Sequence, residues 1–156
     1  MGKIVRDLIE YYIDECSYVV APNFKQMNVD FMFPIPCQKP DVENISKVWI
    51  NPCIYYKKNV KGPLGKSLEG QILTGNGILI EGSLKTKVEY ASLNESKSTH
   101  TAHIEIPFCT YIVLPEYFNQ NSLVSASVLV EDINSTLISP RCIYNNVTLM
   151  VIADVC

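Results

Sequence analysis

From Ile78 to Leu114 the chain keeps a period of two, broken only by one polar loop. In ILIEGSLKTKVEY, Ile78, Ile80, Gly82, Leu84, Thr86, Val88 and Tyr90 alternate with Leu79, Glu81, Ser83, Lys85, Lys87 and Glu89. After LNESKS, His100, Ala102, Ile104, Ile106, Phe108, Thr110, Ile112 and Leu114 oppose Thr101, His103, Glu105, Pro107, Cys109, Tyr111 and Val113. Successive side chains of a strand point to opposite faces, so each run reads as one half-buried strand and the two together as an antiparallel hairpin. Long hairpins with this alternation argue against a parallel α/β sheet, whose strands are apolar on both faces.

The same rhythm extends outward. Val29, Phe31 and Phe33 share a face in the run Lys25 to Phe33, and Val48, Ile50, Ile54 and Tyr56 line a strand interrupted by Pro52, which predicts an edge or a bulge there. NVKGPLGKS (Asn59 to Ser67) reads as a turn. Val124, Ala126, Val128 and Val130 form another alternating run, Asp132 to Pro140 a bend and turn, and Ile143 to Ile152 the returning strand. The N-terminus departs from this pattern. Val5, Leu8, Ile9, Tyr12, Ile13 and Cys16 recur at helical spacing with Arg6, Asp7, Glu10 and Asp14 mostly opposite, which predicts an amphipathic helix of about three turns. The expected fold is therefore all-β, an antiparallel β-sandwich or open barrel with long hairpins, plus one N-terminal amphipathic helix. A chain of 156 residues fits one domain, here residues 21–156, with residues 1–20 as a helix or arm.

Charge and motif exclude several functions. The net charge is −3 and the only basic cluster is Lys57, Lys58 and Lys61, so nucleic acid, whose binding needs many phosphates neutralised, is not an expected partner. Arg6, Asp7, Glu10, Asp14 and Glu15 break up any signal-peptide core, and no run of about 18 apolar residues could span a bilayer. The two histidines stand in HTAHIEIPF, three residues apart. On a strand an odd separation sends His100 inward and His103 outward, so they cannot ligate one metal, and His103 with Glu105 is too small a set for zinc. GPLGKS has two residues where a phosphate loop has four between its glycines, and no GxSxG or GxGxxG occurs. No catalytic residue, metal ligand or cofactor is expected, and the chain does not read as an enzyme. Tyr11, Tyr55, Tyr111 and Tyr117 are candidates for aromatic side chains outside the core.

Six cysteines, Cys16, Cys37, Cys53, Cys109, Cys142 and Cys156, contain no CxxC and allow about fifteen pairings, among which spacing selects none. They fit either reduced thiols that behave as small hydrophobes or a protein made in a reducing compartment and oxidised later.

QKPDVENISKVWI (Gln38 to Ile50), LEGQILTGNGILIEGSLKTKVEYAS (Leu68 to Ser92), THTAHIEIPFCTYIVLP (Thr99 to Pro115) and VSASVLVEDI (Val124 to Ile133) are similar, in this order, to the SPOCS domain family of clostridial spore-coat and spore-morphogenetic proteins. The resemblance covers roughly residues 20–153. It implies a β-rich interaction module without catalytic residues, made in the mother-cell cytoplasm and deposited on the endospore surface as coat or exosporium. Serine is usual in the family where this chain has Cys37 and Cys109. In that setting the cysteines meet oxidising conditions when the mother cell lyses. The leading expectation is a structural protein that assembles with itself into a layer or filament locked by intersubunit disulfides. Cys16 and Cys156 are the first candidates, because chain ends reach neighbours most easily, and Cys37, Cys53, Cys109 and Cys142 are the others. The alternative is a soluble adaptor that recruits other spore-coat proteins through its sheet face.

Overall fold

The computed structural model describes residues 2–13, 23–94, 96–118 and 121–155, which form eight strands. These are β1 (Gly2–Arg6), β2 (Ile9–Ile13), β3 (Phe24–Pro34), β4 (Val42–Lys66), β5 (Ile72–Ser92), β6 (Thr99–Val113), β7 (Val124–Ser139) and β8 (Cys142–Val155). One sheet has five strands in the order β1-β2-β4-β5-β6, the other three in the order β3-β8-β7. All neighbours are antiparallel except β2 and β4, which run parallel. The sheets face each other across one apolar core, with β7 against β4 and β2 on one side and β3 against β6 on the other.

Alternation built this core. Ile78, Ile80, Leu84, Val88 and Tyr90 of β5 and Ala102, Phe108 and Ile112 of β6 are buried, and they meet Phe31 and Phe33 of β3 and Ile143, Val147, Leu149 and Val151 of β8. Gly82 belongs to the inward row. A Cβ there would run into the carbonyl oxygen of Cys53 and the ring of Phe108, so the close approach of three strands at this point requires glycine.

The N-terminus is not helical over residues 2–13. β1 and β2 form a hairpin whose two turn residues, Asp7 and Leu8, both have positive φ (51° and 65°), as a type I′ turn demands. The predicted helical stripe is split accordingly, with Val5 and Leu8 in solvent and Ile9 buried. Tyr11, a residue off that stripe, is 1% exposed. Helical spacing lost to a tertiary slot: β2 adds to β4 through Glu10, Tyr11 and Tyr12, opposite Lys47, Val48 and Trp49, and a strand there buries Ile9 and Tyr11 together. Cys16, the last residue of the expected stripe, lies outside the described residues.

Two turns also moved. β4 continues through Gly62 and Pro63 by a register shift between Lys61 and Leu64, and the chain reverses only at Ser67–Gly70, where Gly70 N–H donates to Ser67 O at 2.9 Å. β7 likewise absorbs a shift between Val130 and Asp132 and runs on to Ser139. Pro52 lies beyond the described pairing of β2 with β4, where β5 is the only described neighbour of β4 in the sheet, and Pro107 is on β6, the sheet edge.

Candidate functional site

The outward row of the five-stranded sheet carries the most concentrated chemistry. Tyr12 of β2, Trp49 of β4, Lys87 of β5 and His103 of β6 are in register across four strands. The Tyr12 and Trp49 rings stack at 5.1 Å with 9° between their planes, and Lys87 Nζ lies 4.7 Å from the Trp49 centroid on the following strand. That spacing matches the distance between strands, so the rings stand upright and form a cross-strand ladder. The next row holds Asn51, Lys85 and Glu105. Glu105 is fixed by Ser83 Oγ, which donates to Oε1 at 2.7 Å. Together Trp49, Asn51, Lys85, Lys87, His103 and Glu105 line an open groove of about 640 Å³. At the β2 end, Tyr12 donates to Glu10 at 2.9 Å, and this bond together with Lys3 holds the Glu10 carboxyl below its ordinary value. The same bond, with partial desolvation, pushes the Tyr12 hydroxyl up.

Strand parity placed the histidines as expected. His100 points inward, stacked on Tyr90 at 5.9 Å with its Nε2 2.8 Å from Ser98 Oγ, and His103 is exposed on the opposite face. Among the described residues no group of three or more His, Cys, Asp or Glu could hold a metal ion, and no helix is long and apolar enough to cross a membrane. Of the basic cluster, Lys57 turns back to donate to Val124 O at 2.6 Å.

Cys53 and Cys109 are free, exposed and on this same outer face. β5 lies between them, Cys53 opposite Ser83 and Cys109 opposite Glu81. Two strand spacings are about 9.6 Å, beyond the ~4.4–6.8 Å between Cα atoms that a disulfide spans, so this pair cannot close within the chain. Cys37 and Cys142, also free, flank a different junction. There Arg141 donates to Lys39 O (2.7 Å), Pro36 O (2.8 Å) and Ile35 O (3.2 Å) and pairs with Asp41 (3.0 Å), pinning the β3–β4 connection to the β7–β8 turn. Cys16 and Cys156 lie outside the described residues.

Of the four tyrosines expected outside the core, Tyr55 and Tyr117 are exposed and Tyr11 is buried. Tyr111 is half-buried, its ring laid over the backbone of Gly62 and Gly77, where any Cβ would collide with it. Sequence reasoning missed the Tyr12–Trp49–Lys87 ladder, because its members come from three strands and only the register brings them together. It also missed Arg141, a single charged residue whose partners are three backbone carbonyls and Asp41.

The family model of the SipL, SPOCS domain matches residues 41–138. The chain belongs to this spore-coat-associated family. The matched SPOCS segment runs from the start of β4 through nearly all of β7 and includes the groove, Cys53 and Cys109. The N-terminal hairpin, Cys37 and Cys142 lie outside it. No curated protein and no solved structure matches the chain.

Proposed function

We propose that this chain is a structural endospore-surface protein that assembles with itself into a coat or exosporium layer or filament, with disulfides between subunits holding the assembly. Its membership of the SPOCS family supports the spore setting. The observation that carries the assembly reading is the pair of exposed outer-face thiols, Cys53 and Cys109, which are free among the described residues and too far apart to bridge each other. Oxidation by dioxygen or by exchange with a small disulfide, once the mother cell lyses, joins each to a thiol of another subunit. Cys16, Cys156, Cys37 and Cys142 are further candidates for such bonds.

Two long sheet-edge strands, with no further strand paired to them among the described residues, support the same reading, β6 with 15 residues and β3 with 11. The β4–β5 hairpin reaches beyond the other strands, and at its tip Leu64, Leu68 and Ile72 stand in solvent. The test is a denaturing gel of purified assemblies. A ladder without reductant that collapses to monomer with it is expected; monomer in both lanes overturns the cross-linked assembly.

The groove at Trp49, Lys85, Lys87 and Glu105 favours a second reading, an adaptor that recruits another coat protein through the outer sheet face. A chain that stays monomeric with titratable thiols in oxidising buffer, and loses a coat partner on Trp49→Ala, supports the adaptor.

A further inference from the structure

The β4–β5 hairpin outruns its neighbours. β6 pairs with β5 only as far as Gly77, and β2 pairs with β4 only at Lys47, Val48 and Trp49, so from the Lys61–Asn76 pair outward no third strand lies beside the two among the described residues. The base of this extension is anchored. Thr74 Oγ1 donates to Leu114 O, Asn76 Nδ2 donates to Pro115 O at 3.2 Å, and the Leu114 N–H donates to Asn76 O at 3.0 Å. Beyond that base the hairpin continues through the Lys66–Ile72 pair to the turn at Ser67–Gly70.

Two kinds of side chain collect on this tip. Leu64 and Ile72 are 79% and 69% exposed and Leu68 wholly so. Lys66 and Ile72 are paired across the hairpin and share a face with Leu64, while Leu68 sits in the turn itself. Exposed Lys58, Lys61 and Lys66 flank these residues against Glu69 as the single carboxylate, so residues 58–72 carry a net charge of +2 in a chain whose total is −3. Phe24, exposed at the start of β3, and Lys25 line a cleft with Pro63 and Leu73, which brings a further apolar and cationic pair to the same end.

The tip is thus apolar at its apex, basic behind it, and convex. A protein covers a convex apolar surface only where it offers a matching hollow, whereas a bilayer surface deforms around it. A second copy supplies no concentrated apolar face in return, since Leu8, Met32, Leu93 and Ile138, exposed elsewhere, stand on four different elements. Charge selects the lipid. Lysine ammoniums complement the phosphates of an anionic leaflet, and the long stem of Lys66 lets its charge stay among the headgroups while Ile72 beside it enters the acyl boundary.

We infer that the β4–β5 tip inserts into the surface of an anionic phospholipid bilayer and holds the domain against it. The dimensions fit. Leu64 and Ile72 each lie four residues from Leu68, about 13 Å along a strand, so a hairpin inclined to the surface brings all three within the ~5–10 Å depth that interfacial segments occupy. Lys61, three residues behind Leu64, then lies at the level of the phosphates. This contact uses neither the thiols nor the sheet edges of the assembly reading, and each stands without the other.

The experiment floats full-length protein, kept reduced, with vesicles through a density gradient, comparing phosphatidylcholine alone with phosphatidylcholine containing phosphatidylglycerol. Flotation is expected with the anionic vesicles, little with the neutral ones, and less as salt is raised. Leu68→Ser is expected to lower the partition coefficient about tenfold. Lys61→Gln with Lys66→Gln is expected to lower it about 25-fold at low salt, taking about fivefold for each lysine. All three side chains are exposed, so circular dichroism and the urea midpoint are expected to stay at their wild-type values. Undiminished flotation of Leu68→Ser and of a Leu64→Ser, Ile72→Ser variant overturns insertion by the tip, equal flotation with neutral vesicles overturns the choice of an anionic surface, and no flotation overturns the inference as a whole. A chain that does not float and associates in light scattering through the same three residues assigns the tip to a second copy instead.

Discussion

The β1–β2 and β5–β6 hairpins are both antiparallel, and they are held in opposite ways. β5 and β6 share fifteen pairs, turn one face to the core and form the last two strands of the five-stranded sheet. β1 and β2 share five pairs, and the hairpin joins the rest of the molecule by three backbone pairs, two hydrogen-bonding side chains, a stacked ring and the buried side chains of Ile9 and Tyr11. One is part of the cooperative core. The other is a local unit docked on it, the class of element that opens first. Register over a long buried face specifies a hairpin by itself, whereas a short one takes its place only when a slot exists to receive it.

Substitutions can separate the two. Gly82→Val places a side chain against the Cys53 carbonyl and the Phe108 ring, and is expected to cost about 3 kcal/mol or more and to weaken the whole domain in one urea transition. If Gly82→Val melts at the wild-type urea concentration, the tight core at β4–β5–β6 is misdescribed. Tyr11→Phe removes the hydroxyl that serves the Ser135 amide and should cost about 1–2 kcal/mol. Its signature is faster hydrogen exchange at Ser135 and in β2 with little change in β5; an equal change in both would merge the two units. Leu8→Gly reverses sign between the competing local structures. In a helix glycine costs ~1 kcal/mol relative to alanine, but at a φ of 65° in a type I′ turn it should stabilise the hairpin by up to ~1 kcal/mol, read as slower exchange in β1 and β2.

The smallest effect expected is a pH dependence confined to the hairpin. The folded Glu10 carboxyl titrates below its ordinary value, chiefly through the Tyr12 hydrogen bond, aided by Lys3. A depressed folded value means that the stabilisation is present above the unfolded value and is lost as pH falls through the folded one. Amide protection in β1 and β2 should therefore decline, as the pH falls below the ordinary glutamate range, before that of β5 and β6, and Glu10→Gln should remove this part of the difference.

Much of the sheet was legible because alternation and burial coincide. Strand parity alone assigned His100 to the core side and His103 to solvent, and it separated the apolar row of β5 from Lys85, Lys87 and Glu89. Turn chemistry was less legible. Gly62–Pro63 looks like a reversal in sequence but is absorbed by a shift in the β4–β5 register, and the chain turns only at Ser67–Gly70. The N-terminal segment misled because five-residue strands offer too few positions to distinguish a period of two from 3.6. Leu8, an apolar residue at an exposed turn, completed a helical stripe by coincidence.

By itself the sequence determined that this chain is β-rich, that its central hairpins are antiparallel, which side of each long strand is buried, and that its two histidines lie on opposite faces, since all of these follow from the period of two and parity along the strands. Its ordered likeness to SPOCS sequences pointed to the family that residues 41–138 confirm. Only the tertiary structure decided that residues 2–13 form a hairpin, that Tyr11 fills a slot between β4 and β7, that Tyr12, Trp49 and Lys87 form one ladder, and that Cys53 and Cys109 share a face they cannot bridge. Each of these depends on which strands lie side by side and in what register. That is set by contacts between segments far apart in the chain, which no local period records.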